Sequence, residues 1–142
     1  MATSPDTTAY YTRQFSGLGS VGSYQVSGYP FITGSTTLAN SGEDKIGFPG
    51  VTKSITIINR PSGSGDAPDI RVHFAPLTGG RVAAGNHFII LTANKDSMTM
   101  NVKCNSVYVS APGNAAAYEM FAELTGINPQ TMFPLTGSGI DE

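Results

Sequence analysis

The chain has 142 residues with 8 basic and 10 acidic side chains, 17 Gly, 9 Pro, 1 Cys and no Trp, and only 13% of it is charged. This length fits one domain burying roughly two-thirds of the surface its unfolded form exposes, and the low charge argues against a self-repelling disordered polymer. Scattered Lys and Arg, outnumbered by acids, speak against nucleic acid, and no apolar run approaches the ~18 residues of a membrane span.

The first 42 residues stand apart, with Asp6 and Arg13 as their only charges. Gly17, Gly19, Gly22, Gly28, Gly34 and Gly42 interrupt any helical run, and between them lie Tyr10, Tyr11, Phe15, Tyr24, Tyr29 and Phe31. A purely solvated linker has little use for so many rings. Residues 1–42 therefore read as an extended arm that docks its aromatics on a neighbouring subunit. The competing reading makes part of it, around Ser23 to Thr33, an edge strand of the main domain.

From Lys45 onward the pattern takes the two-residue period of a sheet. Lys53 to Asn59 (KSITIIN) is rich in β-branched residues and stops at the turn sequence Arg60-Pro61-Ser62-Gly63. Ile70, Val72 and Phe74 alternate with Arg71 and His73, and Phe88 to Leu91 forms a short apolar run. Met98, Met100, Val102 and Cys104 alternate with Ser97, Thr99, Asn101 and Lys103, and Val107 and Val109 flank an opposed Tyr108. Ala115 to Leu124 fits either a helix or a strand facing inward through Tyr118, Met120, Ala122 and Leu124. The strand is preferred, with Pro112-Gly113-Asn114 closing a hairpin to Val107–Ser110. Residues 43–127 thus form an all-β body, an antiparallel sandwich of jelly-roll or immunoglobulin-like type. Residues 128–142 form a short C-terminal tail.

Chemical motifs are weak throughout. Gly17-Leu18-Gly19-Ser20-Val21-Gly22 matches G-x-G-x-x-G, but no strand precedes it and no helix follows to present amide dipoles to a phosphate. His73 and His87 would face each other if their strands paired in that register, yet no further ligand completes a metal site; both read as exposed strand histidines. Glu119 and Glu123 share a face of one element instead of flanking a cleft. No serine lies in G-x-S-x-G, and Cys104 continues an inward row as a buried thiol. Asn94-Lys95-Asp96 reads as a turn. No catalytic residue, cofactor or metal is expected. Cys104 has no partner for an internal disulfide, and the N-terminus lacks a basic start followed by an apolar core. The first fits folding in a reducing cytoplasm, and the second leaves no secretory signal to expect.

The uncharged arm leads into VTKSITIINR, DIRVHF and HFIILT, then SMTMNVKCNSVYVSA, AYEMFAELTGI and MFPLTGSGI. This succession, over roughly residues 29 to 140, resembles the small β-sandwich decoration or cement proteins of tailed bacteriophage capsids. The resemblance implies a non-enzymatic virion protein, assembled in the host cytoplasm and seated on the capsid surface. Its implied partners are the major capsid protein and copies of itself, often as homotrimers, with neither nucleic acid nor membrane. A carbohydrate-binding sandwich of a host-adhesion structure is the alternative, with Tyr108 and the arm tyrosines as candidate sugar platforms. A small hydrolase using Glu119, Glu123, His73 or His87 is a more distant third.

Overall fold

A computed structural model describes residues 17–61, 67–77, 81–92, 94–136 and 139–140. Its strands are β1 (Tyr29–Leu38), β2 (Glu43–Gly47), β3 (Thr52–Arg60), β4 (Ile70–His73), β5 (Ile89–Leu91), β6 (Ser97–Met100), β7 (Ser106–Ser110), β8 (Ala116–Leu124), β9 (Leu135–Thr136) and β10 (Gly139–Ile140). They build two four-stranded sheets, ordered β1-β8-β3-β6 and β2-β7-β4-β5, with β9 and β10 as a separate pair.

Every pairing in the two large sheets is antiparallel. β1 pairs with β8, β2 with β7, β3 with β6 and β4 with β5. One long antiparallel ribbon has rolled up, its successive rungs falling alternately in the first and second sheet. That is the jelly-roll order, and it selects the jelly roll over the immunoglobulin-like alternative.

Between the sheets lies a core of alternating side chains. Ile55 and Ile57 of β3, Ile70 and Val72 of β4, Val107 and Val109 of β7, and Met120 and Ala122 of β8 are all at or below 2% exposure. Two polar ties cross this core. The Tyr118 hydroxyl donates to Asp44 Oδ2 at 2.9 Å, joining β8 to β2. The Asn59 amide, at the end of β3, donates to the carbonyls of Pro68 (2.9 Å) and Leu91 (3.0 Å). Burial, followed by the Asp44 carboxylate, pushes the Tyr118 phenol above its ordinary range; its proton stays in place to make the bond.

Within the segment that fitted either pattern, Ala116–Leu124 forms a strand, and its inward row is the expected one of Tyr118, Met120, Ala122 and Leu124. The expected hairpin is not formed, because β7 and β8 lie in different sheets. The Pro112-Gly113-Asn114 segment lies in the connection that carries the chain from one sheet to the other. β8 is consequently central, between β1 and β3.

The arm boundary at residue 42 also shifts. Tyr29–Leu38 is the edge strand of the first sheet, paired with β8 from Tyr29↔Leu124 to Ser35↔Tyr118, with a bulge before Leu38↔Ala116. Gly34 permits this docking, since a Cβ there would sit 2.6 Å from the Tyr118 carbonyl oxygen. Residues 17–28, with one helical turn at Gly22–Gln25, form a strap on the body. Leu18 and Tyr24 of the strap pack against a second small core of Val51, Ile127 and Met132. Met132 and Leu135, from the segment read as a short C-terminal tail, pack there too. Of the expected arm, residues 1–16 lie outside the described residues.

Candidate docking face and strap cleft

The registers define a continuous outer row across the first sheet. Ile32 pairs with Phe121, Phe121 with Thr56, and Thr56 with Thr99. Ile32 is 77% exposed and Phe121 39%, and the Thr56 and Thr99 hydroxyls bond each other at 2.9 Å. The neighbouring row runs Gly34, Glu119, Ile58, Ser97. In it Arg60 Nη1 reaches Glu119 Oε1 at 2.7 Å, a pair largely in water. On the other side, Ser54 Oγ donates to Glu123 Oε2 at 3.0 Å. The two glutamates are thus bound within the sheet surface, with Phe121 between them.

Beside this face runs the outer edge of β1, ten residues without a charge (YPFITGSTTL). Long, uncharged, partly apolar edges invite a further strand or a neighbouring surface, and proteins that remain alone usually interrupt them with charge. The other three edges are shorter: β6 has four residues, β5 three, and β2 five with Glu43, Asp44 and Lys45 among them.

The aromatics expected to form a subunit interface separate in space. Tyr29 is 68% exposed at the start of β1. Phe31 turns inward and meets the Phe48 ring edge-on at 5.3 Å. Tyr24 is held within the strap: its hydroxyl donates to the Leu18 carbonyl at 2.9 Å, and Lys103 Nζ stands 4.6 Å from its ring centroid. Phe31 and Tyr24 are therefore occupied within their own chain, because pairing of β1 and folding of the strap bring each onto the body. Tyr10, Tyr11 and Phe15 lie outside the described residues. Ile32 and Phe121, the most prominent apolar pair of the face, escaped the sequence reading. Alternation in β8 placed Phe121 outward, but Ile32 became visible only once β1 was a strand.

The residues of the hydrolase reading do not converge. Glu119 and Glu123 sit on the outer face of the first sheet, whereas His73 is on the second and His87 is exposed in a loop. Nor are the histidines opposite each other: Val72 pairs with Ile89, which makes Phe88 the next in line for His73. The expectation that His73 is exposed is also corrected, since it is 1% exposed. The chain following β4 folds over it, with the Leu77 amide donating to Glu43 Oε2 at 2.8 Å. His73 Nδ1 bonds the Ala75 carbonyl at 2.7 Å and Nε2 meets Ser110 Oγ at 2.9 Å. The carbonyl only accepts, so Nδ1 carries the proton and neutral Nε2 accepts from the serine. Burial lowers the His73 pKa, against the opposing pull of the Ala75 carbonyl and Glu43. Ser110 is itself 1% exposed, so this bond is a closed structural contact without access for a substrate.

Other candidates resolve similarly. Cys104 is fully buried and its thiol is pushed up to about 11 by burial, which makes it inert as a nucleophile. Tyr108 stacks on His73 at 5.7 Å and 8°, while Lys45, from the strand on its other side, lies 5.8 Å from its ring centroid. The ring is half-buried, with part of its surface taken up by these two neighbours.

A cleft of about 520 Å³ separates the strap from the end of the first sheet. Lys53 and Lys103 line it from the body, and each ties down the strap. Lys53 Nζ donates to the Val26 carbonyl at 2.8 Å and Lys103 Nζ to that of Leu18 at 2.9 Å.

No protein-family model and no curated protein matches the chain. Among solved structures, a chain described under "Bacillus endospore appendages form a novel family of disulfide-linked pili" is similar at 15% identity, covering 78% of this chain and 98% of that one. Its TM-score of 0.39 is too low to support an inference about shared fold or role.

Proposed function

We propose that this protein is a non-enzymatic structural subunit that decorates or cements the capsid of a tailed bacteriophage. It docks through the β1 edge and the outer face of the first sheet onto the major capsid protein and copies of itself, as a homotrimer on the virion surface. The observation that carries this reading is the exposed Ile32–Phe121 pair beside a ten-residue edge without charge. Such a surface gains most from being covered, by apolar burial and by backbone pairing along the edge. Many copies on a symmetric shell then multiply a modest contact. Jelly rolls also serve as lectin domains, so the exposed face, not the fold, favours assembly. Tyr108, half-buried and stacked on His73, gives the carbohydrate alternative less ring surface than an exposed platform would.

The test compares wild type with Ile32→Asp/Phe121→Asp for binding to expanded heads lacking the protein, by co-sedimentation. Both residues are already exposed, so the variant is expected to fold as wild type. Burying them is worth about 2–4 kcal/mol, and the variant is expected to lose binding by at least ~30-fold. Equal occupancy by both proteins would overturn the proposal.

A further inference from the structure

The strap cleft has a charge pattern that the docking role does not use. The whole chain carries a formal net charge of -2, yet two lysines, Lys53 and Lys103, line this cleft and no acidic residue does. Neither lysine is in a salt bridge among the described residues. An ammonium has three N–H donors, and the bonds to Val26 and Leu18 use one on each lysine. The remaining donors are available to the cleft and its solvent. The side chains of Asn101, Gln25 and Ser20 add neutral donors to its lining. Val21, 68% exposed, and Val102 supply an apolar portion of the wall.

We infer that this cleft binds a small organic anion, a carboxylate or phosphate group on a compact body. A cavity of about 520 Å³ falls in the range of small-ligand sites, which combine apolar walls with a few convergent polar groups. Two like charges lining one cleft raise its potential, and an anion bound there is attracted by both and can accept an N–H that the strap bonds leave unused. The tether of each lysine to a strap carbonyl, and the Tyr24 ring beneath Lys103 at 4.6 Å, restrict both side chains before a ligand arrives. Less ordering entropy is then lost on binding. The sequence hid this arrangement because the strap, Lys53 and Lys103 are brought together only by the fold.

The experiment titrates the full chain with glucose, glucuronate and glucose 6-phosphate, three ligands that share a body and differ in charge, and follows backbone amide shifts by NMR. Saturable binding of glucuronate or glucose 6-phosphate, with a Kd on the order of 1 mM and shifts at Gly19, Ser20, Lys53 and Lys103, is expected, with no saturation by glucose. The tighter of the two charged sugars identifies the group preferred. Asn101→Asp adds a negative charge to the wall while leaving both strap bonds in place, and is expected to weaken the charged ligand at least tenfold. Lys53→Gln/Lys103→Gln is expected to abolish binding. Equal binding of glucose, no saturation by either charged sugar, or unchanged affinity in Asn101→Asp would each overturn the inference.

Discussion

Gly34→Ala tests whether Tyr29–Leu38 belongs to the body, because it places one methyl group where β1 lies against β8. Its Cβ would stand 2.6 Å from the Tyr118 carbonyl oxygen and 3.4 Å from Glu119 Cα. Both are backbone atoms of a central strand, so no flexible side chain can turn aside to relieve the overlap. The strands must part by several tenths of an ångström at this rung. Overpacking of this kind costs about 1–3 kcal/mol, and each loosened ladder bond adds about 1 kcal/mol. The smaller entropy of the unfolded alanine chain returns about 0.5–1 kcal/mol. The net expectation is a loss of about 2 kcal/mol, or roughly 6–8 °C in Tm for a chain of this size. Urea unfolding followed by circular dichroism measures it. Gly19→Ala is the control, since a Cβ there meets nothing within 4 Å, and stability is expected to hold or rise by up to about 1 kcal/mol. A Gly34→Ala protein within about 0.5 kcal/mol of wild type would refute the close docking of β1 on β8.

Two further predictions concern the buried polar contacts. Tyr118→Phe removes the donor to Asp44 and is expected to cost about 1–2 kcal/mol; in a double-mutant cycle, adding Asp44→Ala should then cost less than it does in wild type, and strict additivity would show that the hydroxyl and the carboxylate are not coupled. For His73, a folded pKa below the unfolded value means that the unfolded chain takes up a proton first as pH falls. Stability is therefore expected to drop below about pH 6.5, with a slope of up to ~1.4 kcal/mol per pH unit from this group until its folded pKa is reached. His73→Gln should flatten that slope in unfolding curves between about pH 5 and 7; an unchanged slope would mean that the imidazole does not titrate differently in the two states.

Much of the second half of the fold was legible because its strands are half-buried and alternate cleanly. Tyr118, Met120, Ala122 and Leu124 identify the inner face of β8, even though Ala117, Met120, Phe121 and Leu124 of the same segment recur at helical spacing. β1 was harder to read. Gly28, Pro30 and Gly34 resemble loop punctuation, and Phe31 is the one large apolar side chain on its inner row before Leu38. Gly34, which in the sequence only interrupts a helical run, serves close strand approach. His73 shows a different limit: alternation puts it on the outer side of its sheet, and only the chain folding back after β4 buries it. The docking row is similarly non-local, since Ile32 and Phe121 meet through a register that no local pattern specifies.

A cryo-EM map of the native particle carrying this protein tests the central claim most directly. The prediction is a jelly-roll density on the capsid surface whose β1 edge and Ile32–Phe121 face are covered by a neighbouring subunit. A map showing the protein on the particle with that face open to solvent, or no copy on the shell at all, would contradict it.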